Sequence, residues 1–302
     1  MSWNTFIKQF VSYLKLERSL SENSILAYER DIQKLFSYLL MVGGKENIPP
    51  PQKVAPQEIR DFLGYIYELK MSPYSQARIL SGIKAFYKYL LIEEVVKTDP
   101  TELIESPKLG KKLPDTLSYE EIEALLNTID LSTPEGARNR AIIELLYSSG
   151  LRVSELINLK RTDVLEEIGF LRILGKGNKE RLVPIGSDAL KYMNIYFKEI
   201  RVHVTIKEGE ENIVFLNRRG KRLTRVMIFT IVKTLAKEMG LSKNISPHTF
   251  RHSFATHLIE GGADLRAVQE MLGHESITTT EIYTHIDRDF LRQTITEYHP
   301  RS

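Results

Sequence analysis

Two apolar runs lie on either side of a glycine-rich turn near the middle of the chain, IGFLRIL (168–174) and ERLVPI (180–185) around GKGN (175–178). Branched apolar residues that flank a short Gly-Asn turn are typical of a β-hairpin. On both sides of this region, the apolar residues recur mainly at three- and four-residue spacing, which indicates helices. The sequence therefore predicts a mainly α-helical protein with a small β-sheet.

The first hundred residues predict a small helical bundle. Apolar stripes within residues 3–69 have helical spacing, and Gly43-Gly44 is expected to end the second helix. Ser72-Pro73 predicts the start of a fourth helix, because it combines a capping serine with a proline at the first helical position. A further short helix is expected after Asp99-Pro100.

A change of composition divides the chain. The stretch ESPKLGKKLPDTLS (105–118) contains prolines, a glycine and lysines but few apolar residues, as interdomain linkers do. Ser118 and Glu121 then form a capping box, which predicts a new helix. A length of 302 residues suits about two domains. We expect an N-terminal helical domain over residues 1–107, a linker over 108–117 and a second domain over 118–302.

The overall composition is that of a soluble globular protein, with 42% hydrophobic and 27% charged residues. There is no cysteine, which excludes disulfides and thiolate metal sites. The sequence shows neither a signal-peptide core nor an apolar run near the roughly 20 residues that span a bilayer. These features predict a cytoplasmic location without membrane insertion.

The positive charge is local, since the net charge is only +3. The stretch NRRGKRLTR (217–225) has five cations and no acid, and GKGNKER (175–181) adds more. A single basic run is usually a solvated turn, but several in one chain favour a phosphate-binding surface. The candidate DNA contacts are Lys179, Arg218, Arg219, Lys221 and Arg222.

The decapeptide HTFRHSFATH (248–257) is the densest chemical signal. His248 and Arg251 share a helical face, and His252 follows His248 at a spacing that zinc sites also use. We expect no metal, because position 249 lacks the acid of that zinc motif and an arginine between the histidines would repel a cation. Imidazole and guanidinium groups together suit an anionic oxygen. A structural role at a helix start accounts for the same residues equally well.

In YSSGLRVSEL (147–156), Ser149-Gly150 is expected to end one helix and Arg152 to begin the next. Backbone N–H groups at a helix start favour anions, and Arg152 adds its charge to them. Glu155 lies close enough in sequence to brace Arg152. An ordinary surface ion pair is the alternative.

Two further side chains could take part in catalysis. Lys176, at the tip of the predicted hairpin, could donate a proton to a leaving oxygen, although an exposed turn lysine is the usual case. Tyr283 lies in TTTEIYTHI (278–286), with His274 nine residues before it. A tyrosine hydroxyl becomes a nucleophile when cations lower its pKa or a base takes its proton. A tyrosine near Ile282 is otherwise more often part of a core.

Taken in order, these residues give the chain a strong resemblance to the tyrosine recombinase (phage integrase) family, whose catalytic set is Arg, Lys, His-x-x-Arg, His or Trp, then Tyr. The matching segments are SGLRVSEL, GKGNKERLVP, HTFRHSFATHL and LGHESITTTEIYTH. Each segment is short, but their occurrence together and in order is very specific. With the helical N-terminal part and the linker, the resemblance covers nearly the whole chain, and it is strongest to the Xer subgroup.

The resemblance implies a SAM-like core-binding domain, an α+β catalytic domain and DNA strand exchange without a cofactor. Tyr283 would attack a DNA phosphate and form a 3′-phosphotyrosyl link. The implied catalytic residues are Arg152 and Arg251 on the non-bridging oxygens, His248 in proton transfer, His274 as a donor to the phosphate, and Lys176 as the acid for the 5′ oxygen.

The resemblance also implies partners and a task. Double-stranded DNA with a dif-like site would be the substrate, and a XerC-like recombinase would complete a tetrameric synaptic complex. With an FtsK-type DNA translocase, this assembly would resolve chromosome dimers at the nucleoid during cell division. The alternatives are a phage- or transposon-type integrase, a type IB topoisomerase-like relaxing activity, and a non-catalytic architectural DNA-binding protein.

The tail IDRDFLRQTITEYHP (286–300) predicts an amphipathic helix with a small apolar face formed by Phe290, Leu291, Ile295 and Tyr298. That face could pack on its own domain. The family resemblance implies instead that it docks into a neighbouring subunit.

Overall fold

The computed structural model describes residues 2–44, 46–110, 115–175, 180–273 and 285–301, with backbone only for 285–289. The chain divides into two compact units, Met1–Lys112 and Leu113–Ser302. Both are mainly helical and the second contains a three-stranded sheet, so the predicted fold class is confirmed. Among the helices of the described residues, none is both long and apolar enough to cross a membrane.

In the described residues, the first unit contains four α-helices. They are α1 (Trp3–Leu16), α2 (Glu22–Gly43), α3 (Pro56–Glu68) and α4 (Pro73–Ile92). The predicted end of α2 is confirmed, since Gly44 caps it, and so is the start of α4, where the Ser72 side chain accepts from the Ser75 N–H. The helix predicted after Asp99-Pro100 is wrong. The Asp99 carboxylate instead accepts from the backbone N–H and hydroxyl of Thr101, at 2.7 and 2.6 Å, and holds a turn.

The core of the first unit is aromatic. The rings of Phe10 and Phe86 meet edge to face, with centroids 5.4 Å apart, and Trp3 stacks on Phe86. One buried carboxylate, Asp31, accepts two hydrogen bonds from Arg78. A buried carboxylate without such a partner would be strongly destabilising.

The second unit contains eight α-helices in its described part. They are α5 (Tyr119–Asn127), α6 (Pro134–Ser149), α7 (Val153–Ile157), α8 (Ser187–Ile195), α9 (Arg225–Glu238), α10 (Pro247–Gly261), α11 (Leu265–Leu272) and α12 (His285–Tyr298). The predicted capping box that opens α5 is confirmed. Helix α6 is buried along nearly its whole length and packs against α8 and α10, which places it at the centre of the unit.

The sheet has three antiparallel strands in the order β1 (Val164–Leu165), β2 (Phe170–Leu174) and β3 (Glu180–Pro184). The predicted hairpin is confirmed, with Leu174 opposite Glu180 and Phe170 opposite Pro184. Strand β1 was not predicted from the sequence, because two residues are too few to show an alternating pattern.

The predicted helix in the tail is confirmed as α12. Leu291 and Ile295 are buried in a core cluster with Phe254 and Leu272 of α10 and α11. Phe290 was expected on the apolar face but is 49% exposed. In the structure, α12 therefore packs on its own domain rather than reaching away from it.

Candidate active site

Arg152 lies in the short connection between α6 and α7. Helix α6 ends at Gly150, which has a left-handed φ of 58°, and a Cβ there would lie 2.5 Å from the Phe254 ring. Glycine is therefore required at this position for two reasons, its backbone conformation and the close packing. The connection turns the chain so that Arg152 caps α7, as the sequence predicted for this helix boundary.

Glu155 braces Arg152 through both its backbone and its side chain. The Arg152 N–H donates to Glu155 Oε2 at 2.8 Å, and Arg152 Nη1 donates to Glu155 Oε1 at 3.0 Å. The Arg152 side chain remains 36% exposed, whereas that of Glu155 is only 6% exposed. The carboxylate is thus a buried support beneath an arginine that still reaches the surface.

Arg251 is near the start of α10, which begins with Pro247 as predicted. Its Nη1 donates to the Gly150 carbonyl at 2.7 Å and its Nη2 to the Leu272 carbonyl at 2.6 Å. Burial, and after it the nearby charge of Arg152, lower the pKa of Arg251 to about 10. The group is still positively charged at neutral pH, but it has lost much of its water.

A third arginine, Arg181 of β3, completes the group and was missed by sequence reasoning. Its Nη1 and Nη2 donate to the two oxygens of Glu155, both at 2.9 Å, and the side chain is only 7% exposed. A signal was present, because strand alternation places Arg181 on the same buried face as Val183. A charged residue at an inward position needs a buried partner.

The charge of the two arginines determines the state of Glu155. Burial alone raises the pKa of its carboxyl group, but the hydrogen bonds and charge of Arg181, together with those of Arg152, bring the pKa below its usual value. Glu155 is therefore ionised at neutral pH and acts as a fixed acceptor for both guanidinium groups.

The three arginines meet at the end of α11. Arg181 Nε donates to the Met271 carbonyl at 2.8 Å, Arg251 to Leu272 at 2.6 Å, and Arg152 Nη2 to Gly273 at 3.2 Å. The last carbonyls of a helix lack partners within it and lie at its negative end. Three successive carbonyls thus engage three guanidinium groups, directly before position 274 in the chain.

Not every predicted site residue can be placed. His248 is exposed at the second position of α10, on the same turn as Arg251. Lys176, Lys179, His274 and Tyr283 lie outside the described residues. The structure therefore brings together Arg152, Glu155 and Arg251 from the predicted set and adds Arg181 to them.

The basic turn at residues 217–222 is partly neutralised. Arg218 pairs with Glu135 at 2.7 Å, and Arg222 pairs with Glu210 at 2.9 Å. Arg219 and Lys221 are exposed, and the ion pairs of the described residues include neither of them. Their backbone N–H groups donate to Asn217 Oδ1, which fixes the turn that presents them.

The arginine cluster has the properties of an anion site. Arg152 and Arg181 share the Glu155 carboxylate, and Arg251 adds a third guanidinium, which leaves an excess of positive charge; the Arg152 side chain reaches solvent. Guanidinium forks match the spacing of phosphate oxygens. In the described part of the chain, no group of three or more His, Asp or Glu side chains is arranged to hold a metal ion.

The chain is similar to known proteins in both sequence and fold. Residues 115–289 match the model of the phage integrase family, and residues 7–94 match the model of the phage integrase N-terminal SAM-like domain. The tyrosine recombinase XerD of Staphylococcus epidermidis is 43% identical over 299 residues, which covers 99% of this chain and 100% of that protein. The tyrosine recombinase XerD of Staphylococcus aureus is 42% identical over 298 residues, with 99% of both chains covered.

A solved structure of XerH, a site-specific recombinase bound to palindromic difH substrate in a post-cleavage complex, has a similar fold. The TM-score is 0.70 at 25% identity, and the alignment covers 96% of this chain and 84% of that chain.

Proposed function

Because the chain belongs to the phage integrase family of tyrosine recombinases and is XerD-like, we propose that it exchanges DNA strands at a specific site through a covalent link between Tyr283 and DNA. One observation carries this proposal. Arg152 and Arg251 are 99 residues apart in sequence, yet they donate to the adjacent carbonyls of Gly273 and Leu272, next to the segment that contains His274 and Tyr283.

The arginine pair would bind the scissile phosphate. In the reaction, Arg152 and Arg251 would donate to the non-bridging oxygens, where negative charge builds up in the transition state. A partly dehydrated guanidinium such as that of Arg251 interacts more strongly with this charge than one in water does. The carbonyls of Leu272 and Gly273 would then have to share or release these donors.

The remaining roles follow from the chemistry of each side chain. The Tyr283 oxygen would attack phosphorus while the bond to the 5′ oxygen breaks, which leaves a 3′-phosphotyrosyl link and a 5′ hydroxyl. His248 would assist the transfer of the phenol proton and His274 would donate to a phosphate oxygen. Lys176 would supply the proton that the departing 5′ oxygen needs. The number of phosphoester bonds is conserved, so rejoining requires no nucleotide.

Surface cations would provide most of the DNA affinity. Arg219 and Lys221 on the basic turn are candidates for phosphate contacts, and Lys179, Arg218 and Arg222 belong to the same proposed surface. Contacts of this kind position the protein without reading sequence, and they weaken as salt rises. The division into residues 1–107, a tether over 108–117 and residues 118–302 would let the two domains hold the duplex between them.

The biological substrate would be a dif-like site at which chromosome dimers are resolved. A XerC-like recombinase would complete a tetrameric synaptic complex with this protein. An FtsK-type DNA translocase would be a further partner, and the protein would act at the nucleoid. The full-length identity of 43% to XerD favours this task over that of a phage- or transposon-type integrase.

Covalent trapping tests the proposed chemistry. A nicked suicide substrate that contains a dif-like half-site should give a protein–DNA adduct that survives denaturing electrophoresis. Tyr283→Phe should abolish the adduct but leave half-site binding nearly intact, since only the hydroxyl group attacks. Tyr298→Phe, in the same tail, is the matched control and should still form the adduct.

Three outcomes would contradict the proposal. DNA binding without any adduct from the wild-type protein would indicate an architectural DNA-binding protein. An adduct formed by Tyr283→Phe would show that another residue is the nucleophile. Equal cleavage of dif-like and unrelated duplexes would favour a topoisomerase-like relaxing activity.

A further inference from the structure

Arg181 is a buried arginine on a β-strand, and it joins three parts of the candidate site. It lies on β3, opposite Ile173 of β2, and the whole residue is 6% exposed. Arginine is rarely buried to this extent unless it is paired. Removing its charge from water is unfavourable, and its partners must offset that cost.

The donors of Arg181 are directed at two different segments. Nη1 and Nη2 form a two-pronged ion pair with Glu155, and Nε donates to the Met271 carbonyl at the end of α11. Lys176 follows β2 and precedes β3 in the sequence. Because Arg181 lies on β3, its guanidinium connects this hairpin to the Arg152 segment and to the end of α11. These are three of the segments that carry the proposed catalytic residues.

Glu155 transmits the position of Arg181 to Arg152. Its Oε1 accepts from Nη1 of both arginines, at 3.0 and 2.9 Å, and its Oε2 accepts from the Arg152 N–H and from Arg181 Nη2. Both oxygens are therefore shared, so the carboxylate cannot rotate without breaking bonds to both guanidinium groups. The orientation of Arg152 depends in this way on Arg181.

The close approach of Gly273 supports the same conclusion. This residue has a left-handed φ of 64°, and a Cβ there would lie 3.0 to 3.2 Å from the side chain of Arg181. Gly273 thus packs against Arg181, and its carbonyl accepts from Arg152. Arg152 is held on one side by Glu155 and on the other by Gly273, and Arg181 contacts both of these supports.

We propose that Arg181 is a positioning residue for DNA cleavage, which acts through Glu155 to orient the Arg152 guanidinium toward the scissile phosphate. This inference rests on the proposed function, because it assumes that Arg152 binds a non-bridging oxygen. It assigns to Arg181 no contact with DNA. Its effect is on the rate of cleavage rather than on the affinity for the half-site.

The test compares two substrates in single-turnover cleavage. One has the normal scissile phosphate and the other a methylphosphonate, in which a methyl group replaces one charged non-bridging oxygen. Arg152 has less charge to stabilise in the second substrate, so variants that disturb Arg152 should lose less on it. Arg181→Lys keeps the charge but cannot form the two-pronged pair.

We expect Arg181→Lys to slow cleavage of the phosphate substrate about 10- to 100-fold, as loss of a supporting contact commonly does. The loss on the methylphosphonate should be several-fold smaller, and half-site affinity should change by less than about threefold. In an Arg152→Ala background, Arg181→Lys should have little further effect on the phosphate substrate, because residues that act through one another are not additive.

A matched control separates positioning from loss of stability. Arg140 also forms a buried ion pair with a glutamate, Glu144, at 3.0 Å, and it contacts none of the three segments. Arg140→Lys should lower the melting temperature as Arg181→Lys does, yet it should leave the ratio of the two cleavage rates unchanged. Glu155→Gln weakens the same pair between Arg181 and Glu155 by removing the charge of the carboxylate. If Arg181→Lys does not fold, the two cleavage rates of Glu155→Gln test the positioning role instead.

The outcomes are distinct. Equal slowing of both substrates by Arg181→Lys, or full additivity with Arg152→Ala, would overturn the positioning role while the recombinase assignment stands. A wild-type protein that forms no adduct on either substrate would overturn the proposed function itself.

Discussion

Two buried glutamates of the second unit, Glu144 and Glu155, are each held between two arginines. Glu144 of α6 is bound by Arg140 and Arg301, and Glu155 of α7 by Arg152 and Arg181. The distances are alike, between 2.8 and 3.0 Å in both clusters. The two clusters differ in what surrounds them.

Further carboxylates complete the Glu144 cluster. Arg301 also pairs with Asp188 at 2.6 Å and with Glu123 at 3.4 Å, so acids outnumber arginines there. Burial raises the pKa of Glu144 in spite of its two arginines. This cluster links Arg301 to α6 and has no excess of positive charge.

The Glu155 cluster has the opposite balance. A third arginine, Arg251, joins it, and the added partners are backbone carbonyls rather than carboxylates. Carbonyls carry only a partial charge, so the excess positive charge remains available to an anion. A buried Arg–Glu pair therefore stabilises the fold in both places, and the neighbouring groups determine whether it also forms an anion site.

The largest effect is expected from breaking the Glu144 cluster. Glu144→Gln would leave Arg140 and Arg301 without their shared charge, and removing one partner of a buried pair costs about 3 to 5 kcal/mol of unfolding free energy. Chemical denaturation measures this. Glu123→Gln is the control, since its side chain is 46% exposed and such pairs contribute about 1 kcal/mol or less.

Cleavage by folded Glu144→Gln, measured below its melting temperature, should stay within about threefold of wild type, because a cluster that only fastens the fold contributes no transition-state charge. A hundredfold loss would erase the distinction between the two clusters.

The next largest effect is expected in the Glu155 cluster, which has the excess of positive charge. Arg251→Ala should slow cleavage about 100- to 1000-fold, the loss typical for one donor to a developing oxyanion. Single-turnover trapping on the suicide substrate measures it. Arg251→Lys should recover part of the rate, since it restores a charge but not the fork. A loss of affinity as large as the loss of rate would mean that Arg251 binds the ground state equally well.

A smaller effect concerns the pH dependence of the free energy of unfolding. It arises at His299, which lies beside Arg301 of the Glu144 cluster. His299 is buried beside Tyr147, and its Nδ1 accepts from the Arg301 N–H at 3.2 Å. Its Nε2 has no hydrogen-bond partner among the described residues. Burial, and after it the nearby His257, lower the pKa of His299 to about 3.

Acid should destabilise the folded protein through His299. The unfolded chain binds a proton at His299 near pH 6.5, whereas the folded chain does so only near pH 3. Stability is therefore complete above pH 6.5 and is lost on acidification, by about 2 kcal/mol between pH 7 and pH 5. His299→Gln should remove this part of the pH slope in denaturation experiments, and His203→Gln, at an exposed histidine, should not. An unchanged slope in His299→Gln would mean that other groups cause it.

These clusters also show where sequence reasoning succeeds. Caps and hairpins are local, so Ser72, Ser118 and Gly150 could be assigned from their neighbours alone. Arg181 could not, because its partners lie 26 and 90 residues away in sequence. Only the fold brings them together.

The wrong prediction of a helix after Asp99-Pro100 has a physical cause as well. Asp99-Pro100 resembles a helix start, but the Asp99 side chain and Thr101 form a turn that does not continue into a helix. The amphipathic pattern of the tail showed that Leu291 and Ile295 are buried, but a pattern does not state which molecule covers them. In the structure their own domain covers them, so deletion of residues 287–302 should expose part of its core.

The smallest effect extends the comparison to the basic turn, where the same distinction between paired and unpaired cations applies. Arg222 donates to Glu210 at 2.9 Å and to Asn158 at 2.8 Å, whereas the ion pairs of the described chain leave Lys221 out. Each phosphate contact made by a free cation releases about one counterion from DNA. Lys221→Ala should therefore weaken half-site binding a few-fold and reduce the slope of log affinity against log salt by about 0.9. Arg222→Ala should leave the slope nearly unchanged, because its charge is already neutralised, and should instead lower the melting temperature. Half-site titrations at several salt concentrations measure both slopes. A larger change for Arg222→Ala than for Lys221→Ala would show that Arg222 leaves Glu210 when DNA binds.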